Sequence, residues 1–211
     1  MVREGKLMNN ELVRTLDFIT YIDKLKSVFR QNYIADASRR ENDAEHSWHL
    51  ALCVMLLSDY AAEPVNREKT MQMVLIHDLV ELFAGDTYCY DDTAKLGQSE
   101  RERQAAIRLA GMLPEGKGQW LFGLWTEFEE MKSPESRFAK AMDRLQPVLL
   151  NIAGKGRSWV EHGIVAQQVC RRNEPLSTVA PELWEYLEPA IRNTFAEIDN
   201  GRHDSAISAK K

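Results

Sequence analysis

Apolar residues recur at helical spacing along most of this chain, and no stretch alternates as a half-buried strand does. The most apolar segment carrying charged groups is Met71 to Asp86, MQMVLIHDLVELFAGD, and the other elements are read around it. It predicts a buried helix, apolar almost all round. Asn66 caps it, Arg67 to Thr70 form a polar entry, and Gly85 suits its left-handed end. Upstream, Leu12, Leu16, Ile19, Ile22, Leu25, Val28 and Phe29 predict a helix from about Asn10 to Arg30. Gln31 to Asn42 loses the period and predicts a loop. Asp43, as cap or first-turn acid, opens a second helix that ends before Glu63-Pro64.

Beyond the central segment, Asp86 to Gly97 predicts a loop draped over whatever the charged residues form. Helices follow at about Gln98 to Leu113 and Gln119 to Met131. Ser133-Pro134-Glu135 then starts another, with serine as cap and proline in the first turn. That helix holds Asp143 in an otherwise apolar-periodic run, Pro147 predicts a kink or break in it, and Gly154 ends it. Two more helices, about Ser158 to Arg172 and Ser177 to Ile198, complete an all-α reading: one domain over residues 1–199 and a flexible polar tail over 200–211.

Composition narrows the partners. A chain of 211 residues is most simply one domain with a sizeable core. A net charge of −5 and a pI near 5.6 argue against a nucleic-acid backbone as partner, whose footprint is basic. A small anionic substrate stays open, because a few local cations or a metal can hold it. Three isolated cysteines, Cys53, Cys89 and Cys170, fit neither a disulfide framework nor paired zinc ligands and favour a reducing cytoplasm. The start, MVREGKLMNN, lacks the apolar core of a secretory signal, and the longest apolar run, Leu50 to Leu57, is too short to cross a bilayer.

The candidate chemistry follows from cost. An ionisable group in a buried helix is unfavourable unless paired or bound to a metal. His77 and Asp78 offer an imidazole nitrogen and a carboxylate about 100° apart around a helix. Glu81 lies one turn on, and Asp86 follows Gly85. His46 on the second helix and Asp143 on a later one complete a set of two histidines and two aspartates on three helices. Such nitrogen and oxygen donors suit one divalent ion of manganese, cobalt, iron, zinc or magnesium better than a soft, thiolate-bound ion. The plainer alternative for each is a helix-surface polar group or a hydrogen-bonded core histidine.

Other features weigh less. His49 and His162 read as packed or supporting residues, and Glu45 as either a partner of a ligand histidine or a solvated acid. Arg39 and Arg40 reach a substrate phosphate or cap a helix. Gly111 to Gly118, GMLPEGKG, follows a helix and has Gly118 where a phosphate loop needs serine or threonine, which rules that loop out. Trp120, Trp125 and Phe128 belong to a core or a dimer surface.

The ordered set AEHSWH at 44–49, LIHDLVELFAGD at 75–86 and AKAMD at 139–143 resembles the HD-domain metal-dependent phosphohydrolases. Within them, HD-x-x-E-x-x-x-GD with an upstream LK-x-x-x-R (Leu25, Lys26, Arg30) is similar to the five-prime deoxynucleotidase subfamily. The likeness covers roughly residues 12 to 150. It implies an all-helical HD domain in which His46, His77, Asp78 and Asp143 bind one divalent metal. It also implies that Glu81 aligns or activates the attacking water, that Asp86 contacts the sugar or assists proton transfer, and that Arg30 holds the phosphate. Apart from the resemblance, Arg39 is the loop arginine expected as a further substrate contact, with helix capping as its alternative. Gln31 directly follows Arg30 where that subfamily's pattern has tryptophan, and Tyr33 is the aromatic that could replace it.

The expected function is a phosphomonoester hydrolase of the 5′-nucleotidase type, acting on (deoxy)nucleoside monophosphates through a metal-activated water. The expected partners are a small phosphorylated substrate and, from the resemblance, a second copy of the chain; no nucleic acid or membrane is expected. The alternatives are a phosphodiesterase or alarmone hydrolase on the same scaffold, or a non-catalytic helical module that keeps metal for stability. The short chain and the lack of a second metal motif weigh against the first, and Glu81 with Asp86 against the second.

Overall fold

The structure is a computed structural model that describes residues 2–91, 93 and 95–208. It opens on helix α1 (Val2–Ile22), which tightens into a 3-10 turn over Asp23–Ser27 and stops. The chain then becomes extended. Strands β1 (Phe29–Tyr33) and β2 (Arg40–Asn42) form an antiparallel hairpin, with Phe29 opposite Asn42, Tyr33 opposite Arg40 and an irregular register between them. This corrects both the helix expected to reach Arg30 and the loop expected over Gln31 to Asn42. Of the first apolar stripe only Leu25 is deeply buried, joined by Phe18 from outside it, while Leu12, Leu16 and Ile19 are exposed, so packing does not hold the helix together further on. The β-branched and aromatic residues that follow suit a pleated surface. Ser158 Oγ also donates to the Gln31 carbonyl, and Arg157 to that of Ala37, docking the hairpin on the later helices.

Helix α2 (Asp43–Leu57) begins where the hairpin ends. Asn42 caps it by accepting the Glu45 N–H, and the Glu45 carboxylate reaches back to the Asn42 N–H, a reciprocal capping box. The last strand residue is therefore the first cap, and hairpin and helix are coupled within one residue. Helix α3 (Arg67–Ile76) is capped by Asn66, as its sequence predicts. The expected single helix to Asp86 is broken, however. Residues His77–Val80 form a 3-10 turn and Glu81–Ala84 a last short turn, α4, that ends at Gly85 with φ 75°. In 3-10 geometry successive side chains stand about 120° apart rather than about 100°.

Helices α5 (Gln98–Met112), α6 (Glu115–Glu130) and α7 (Pro134–Ala153) follow. Ser133 caps α7, and α7 runs through Pro147 without losing its helical assignment; the missing donor leaves one carbonyl a turn earlier without its backbone partner. The helix expected from Ser158 to Arg172 is two, α8 (Arg157–Glu161) and α9 (Ala166–Asn173), parted around Gly163 at φ 63°. Short α10 (Leu176–Val179) leads to α11 (Pro181–Ser208), which continues as helix past Asn200, where the sequence predicts a tail; residues 209–211 lie outside the described residues. No helix among the described residues is long and apolar enough to cross a membrane.

Two hydrophobic clusters form the core. One gathers Leu50, Val54, Met73, Phe128, Met142 and Trp159, and the other Leu25, Leu79, Val80, Leu109 and Trp125. The 3-10 turn at His77 lies at their seam: Met73 and Val74 belong to the first cluster, Leu79 and Val80 to the second. Its polar side chains are thus carried by a segment that is anchored on both sides.

Helices α5 and α6 meet at Gly118. A Cβ there would lie 2.3 Å from the Ala110 carbonyl oxygen, a backbone atom that cannot rotate away. Gly118→Ala is expected to destabilise the protein by roughly 1–3 kcal/mol through forced separation of the two helices. A lowered urea midpoint with an unchanged slope would register it, and an unshifted midpoint would contradict this packing.

Candidate active site

The seam carries a ring of buried ionisable groups. His46, on α2, is fully buried, and His77, Asp78 and Glu81 are each less than a tenth exposed. His77 Nδ1 lies 2.8 Å from the Val74 carbonyl, which only accepts. This fixes the proton on Nδ1 and leaves Nε2 as a lone pair. That lone pair stands 3.0 Å from Asp78 Oδ1 and 3.6 Å from Asp143 Oδ1, without a hydrogen bond. In the neutral tautomer an Nε2 acceptor faces two carboxylate oxygens, an arrangement that fits a shared cation.

The His46 ring lies 5.5 Å from that of His77, centroid to centroid. Its Nδ1 lies 2.9 Å from Gln146 Oε1, and its Nε2 is 3.1 Å from Asp143 Oδ1 and 3.9 Å from Asp78 Oδ2. The donor atoms of His46, His77 and Asp143 all lie within 4.8 Å of one another. Ligand bonds of roughly 2.0–2.2 Å to a nitrogen- and oxygen-bound divalent ion place donor atoms within such separations. Three of the four expected ligands thus have mutually close donor atoms, and Asp78 lies beside them, 3.0 Å from His77 Nε2.

The electrostatics of the ring reflect its burial. Burial raises the Asp143 carboxyl, but the hydrogen bond from His46 and the nearness of His77 outweigh it and hold the group well below its ordinary range. Asp78 is likewise lowered: burial raises it, and His77, Arg30 and His46 overcome that. Burial and Arg30 lower His46, yet its hydrogen bond to Asp143 and the nearness of Glu41 carry it to about 9. Glu81 moves the other way, pushed to about 10 by burial and by the charges of Asp78 and Glu102. Its Oε2 is buried without a partner. Without a bound cation, Glu81 is therefore a neutral carboxylic acid beside ionised Asp78.

Arg30 is brought to the site, but from strand β1 and not from a helix end, so the helix-dipole explanation of it no longer applies. Its Nη1 lies 2.5 Å from Asp78, 3.2 Å from Asp43 and 3.9 Å from Asp86, and its Nη2 4.0 Å from Asp143. Burial opposes its charge, but the four acids outweigh that and raise it well above the ordinary arginine value. Asp86 follows Gly85 at the cavity wall, raised by burial and partly restored by Arg30. The cavity over these groups measures about 290 Å³ and is lined by Arg30, Asp78, Glu81, Asp86, Asp143 and Gln31 among others.

Arg39 is not brought there. Its guanidinium forks onto Glu45, 2.8 Å to each oxygen, on the exposed side of α2. That pairing, together with the capping box, also removes Glu45 as a partner of a ligand histidine. Arg40 donates to Gln31 Oε1 at 2.6 Å. Tyr33 bonds Glu161 beneath the Arg157 guanidinium, outside the cavity lining, and does not replace the tryptophan of the subfamily pattern.

Three contributors escape sequence reading. Asp43 is completely buried, pairs with Arg30 and is raised to about 8 by burial and Asp78. Gln146 accepts from His46 and donates to Glu41 at 2.7 Å, with His49 Nδ1 3.0 Å away. Glu41 itself is buried. Helical spacing held the signal for the first two: Asp43 precedes His46 by three residues and Gln146 follows Asp143 by three, so each shares a ligand's face. The second wall of the cavity carries Arg144, lowered by burial and by neighbouring Arg172.

A family model described as "HD domain" matches residues 22–184. The 5′-deoxynucleotidases HDDC2 of Danio rerio and Homo sapiens are each 28% identical over 135 residues, 64% of this chain. The chain spans 66% and 65% of their lengths, just under two thirds. A crystal structure of a predicted metal-dependent phosphohydrolase from Magnetospirillum magnetotacticum MS-1 superposes with a TM-score of 0.83 at 40% identity, covering 88% of this chain and 93% of that one. The PH0347 protein of Pyrococcus horikoshii OT3, at 20% identity and a TM-score of 0.59, shares the fold.

The Gln146 bridge supports a specific expectation. Gln146→Leu leaves the His46 Nδ1–H and the buried Glu41 without their partner, and loss of such outer partners typically weakens metal binding by about 10–100-fold. Competition of the variant and wild type against a calibrated chelator measures the change. Equal affinities would remove Gln146 from the support of the site.

Proposed function

Because the chain belongs to the HD domain family, we propose that it is a metal-dependent phosphomonoester hydrolase acting on nucleoside 5′-monophosphates. The observation that carries this reading is the approach of His77 Nε2 to carboxylate oxygens of Asp78 and Asp143, beside a buried Glu81 and a cavity of substrate size. His46, His77, Asp78 and Asp143 would hold one divalent ion, which supplies charge neutralisation at a phosphoryl oxygen and acidifies water. The name shared by the curated relatives, 5′-deoxynucleotidase, supports a nucleotide as substrate.

The chain's own residues divide the remaining work. Arg30 offers a planar fork to phosphate oxygens, and Asp43, 3.2 Å away, holds that guanidinium in place from beneath. Glu81 orients water and takes or returns a proton at its carboxylate. Asp86, at the cavity wall, meets the sugar or relays a proton to the leaving oxygen. The pairing of Arg39 with Glu45 leaves phosphate binding to Arg30 and not to Arg39. The reading places the protein in a reducing cytoplasm, where Cys53, Cys89 and Cys170 remain thiols. It also pairs two copies, for which the exposed Leu12, Leu16 and Ile19 of α1 supply an apolar face.

Steady-state hydrolysis of a phosphate-ester panel with several divalent metals tests the proposal, and turnover of no nucleoside monophosphate under any metal would overturn it. Glu81→Gln is expected to keep its metal and lose about 10²- to 10⁴-fold in turnover, the range of a general acid–base contribution. Elemental analysis beside the assay separates the roles: lost metal would make Glu81 a ligand, and unchanged turnover would end its part in catalysis.

Arg30→Lys keeps the charge but loses the fork, so turnover efficiency is expected to fall by at least about tenfold, the equivalent of one charge-assisted hydrogen bond. Circular dichroism and metal content should match wild type. Equal efficiencies would sink the clamp.

A further inference from the structure

Among the described residues, two cations that line the cavity, Arg144 and Arg172, form no ion pair. Arg30 is surrounded by carboxylates and Lys140 pairs with Glu129 at 3.0 Å. Arg144 and Arg172 stand on α7 and α9. Arg144 Nη1 donates to the Arg172 carbonyl at 3.3 Å, which ties the two together, and Arg144 Nε is buried with no acceptor. Two like charges side by side, one with a buried donor unsatisfied, form an arrangement that an anion relieves.

Their position relates them to the reaction. Arg144 follows Asp143 directly, about 100° around α7, so one helix turns a carboxylate to the metal ligands and a guanidinium to the other part of the cavity. Arg172 lies near Cys89 and Tyr90 of the segment after Asp86, on the wall facing Arg144. Asn173, adjacent to it, has a buried Oδ1 without a donor, suited to a hydroxyl group.

We propose that Arg144 and Arg172 form a second anion subsite that receives a further phosphate group of the substrate whose ester is cleaved at the metal ligands. The substrate class is then a nucleotide bearing two separate phosphates, a nucleoside bisphosphate in preference to a simple monophosphate. This rests on the phosphohydrolase reading above and adds the group at the far end of the substrate. A free orthophosphate has the same chemistry, and the experiment separates the two sources.

The metal-loaded protein is assayed with adenosine 5′-monophosphate and adenosine 3′,5′-bisphosphate, as wild type, Arg172→Gln and Arg144→Gln. Wild type is expected to favour the bisphosphate by roughly tenfold to a hundredfold in kcat/KM, the value of one charge-assisted hydrogen bond or two. Either variant is expected to bring that ratio towards one, mainly by raising KM for the bisphosphate. A ratio near one in wild type, or an unchanged ratio in both variants, overturns the subsite. Orthophosphate that alters monophosphate turnover through these arginines, with no bisphosphate preference, overturns the substrate assignment in favour of a free anion. Calorimetric binding of the two nucleotides runs in parallel. If no nucleotide is hydrolysed, the phosphohydrolase reading fails, and tighter bisphosphate binding that depends on Arg172 still supports the subsite, while equal binding overturns it.

Discussion

Four carboxylates, those of Asp43, Asp78, Asp86 and Asp143, lie within 4.0 Å of a single guanidinium, that of Arg30. One positive charge cannot balance four acids, two of them buried, and an uncompensated buried charge is costly. The protein distributes the strain unevenly. Asp78 and Asp143, facing the histidines, stay ionised, whereas Asp43, Asp86 and Glu81 are driven towards their neutral forms. The site is therefore split into a charged half that suits a cation and a half whose carboxyl groups are shifted towards protonation. That division is what a hydrolase of phosphate esters needs, since one half neutralises the phosphoryl group while the other manages water and the leaving oxygen.

The fold delivers the groups through short-range devices. A capping box makes the end of the hairpin and the start of α2 one unit, which sets Arg30 against Asp43 and His46. The 3-10 turn at His77–Val80 pins one imidazole by its bond to the Val74 carbonyl and turns Asp78 alongside. Helix α7 contributes Asp143, Arg144 and Gln146 in four residues, serving the ligand ring, the opposite cavity wall and the support of His46 together. Because the turn sits between two hydrophobic clusters, none of these groups depends on a loop for its place.

Much of this was legible in the residues. Asn66 and Ser133 mark helix starts by their cap chemistry, and His46, His77 and Asp143 come together as their order implies, with Asp78 adjoining His77. What escaped has physical causes. The hairpin hid because its residues are half-buried on an irregular register, with no alternation to read. The break at His77 hid because an apolar run looks alike whether its pitch is 3.6 or 3.0 residues. Arg39 was attractive because an arginine near a motif reads as a phosphate contact, and only the geometry of Glu45, already engaged in capping, reveals its partner. Asp43 read as a cap or first-turn acid and Gln146 carried no motif, yet each stands three residues from a candidate ligand on the same helix face.

The central claim is that His46, His77, Asp78 and Asp143 converge on one cation. Chelator-stripped protein dialysed against cobalt(II), with metal content by elemental analysis and ligand-field absorption, tests it in wild type and Asp143→Ala. The account predicts about one equivalent in wild type, with the absorption of nitrogen and oxygen ligands, the donor set these residues supply. It also predicts loss of both signals in the variant while helical circular dichroism persists. Stoichiometric cobalt with the same spectrum in Asp143→Ala would contradict it.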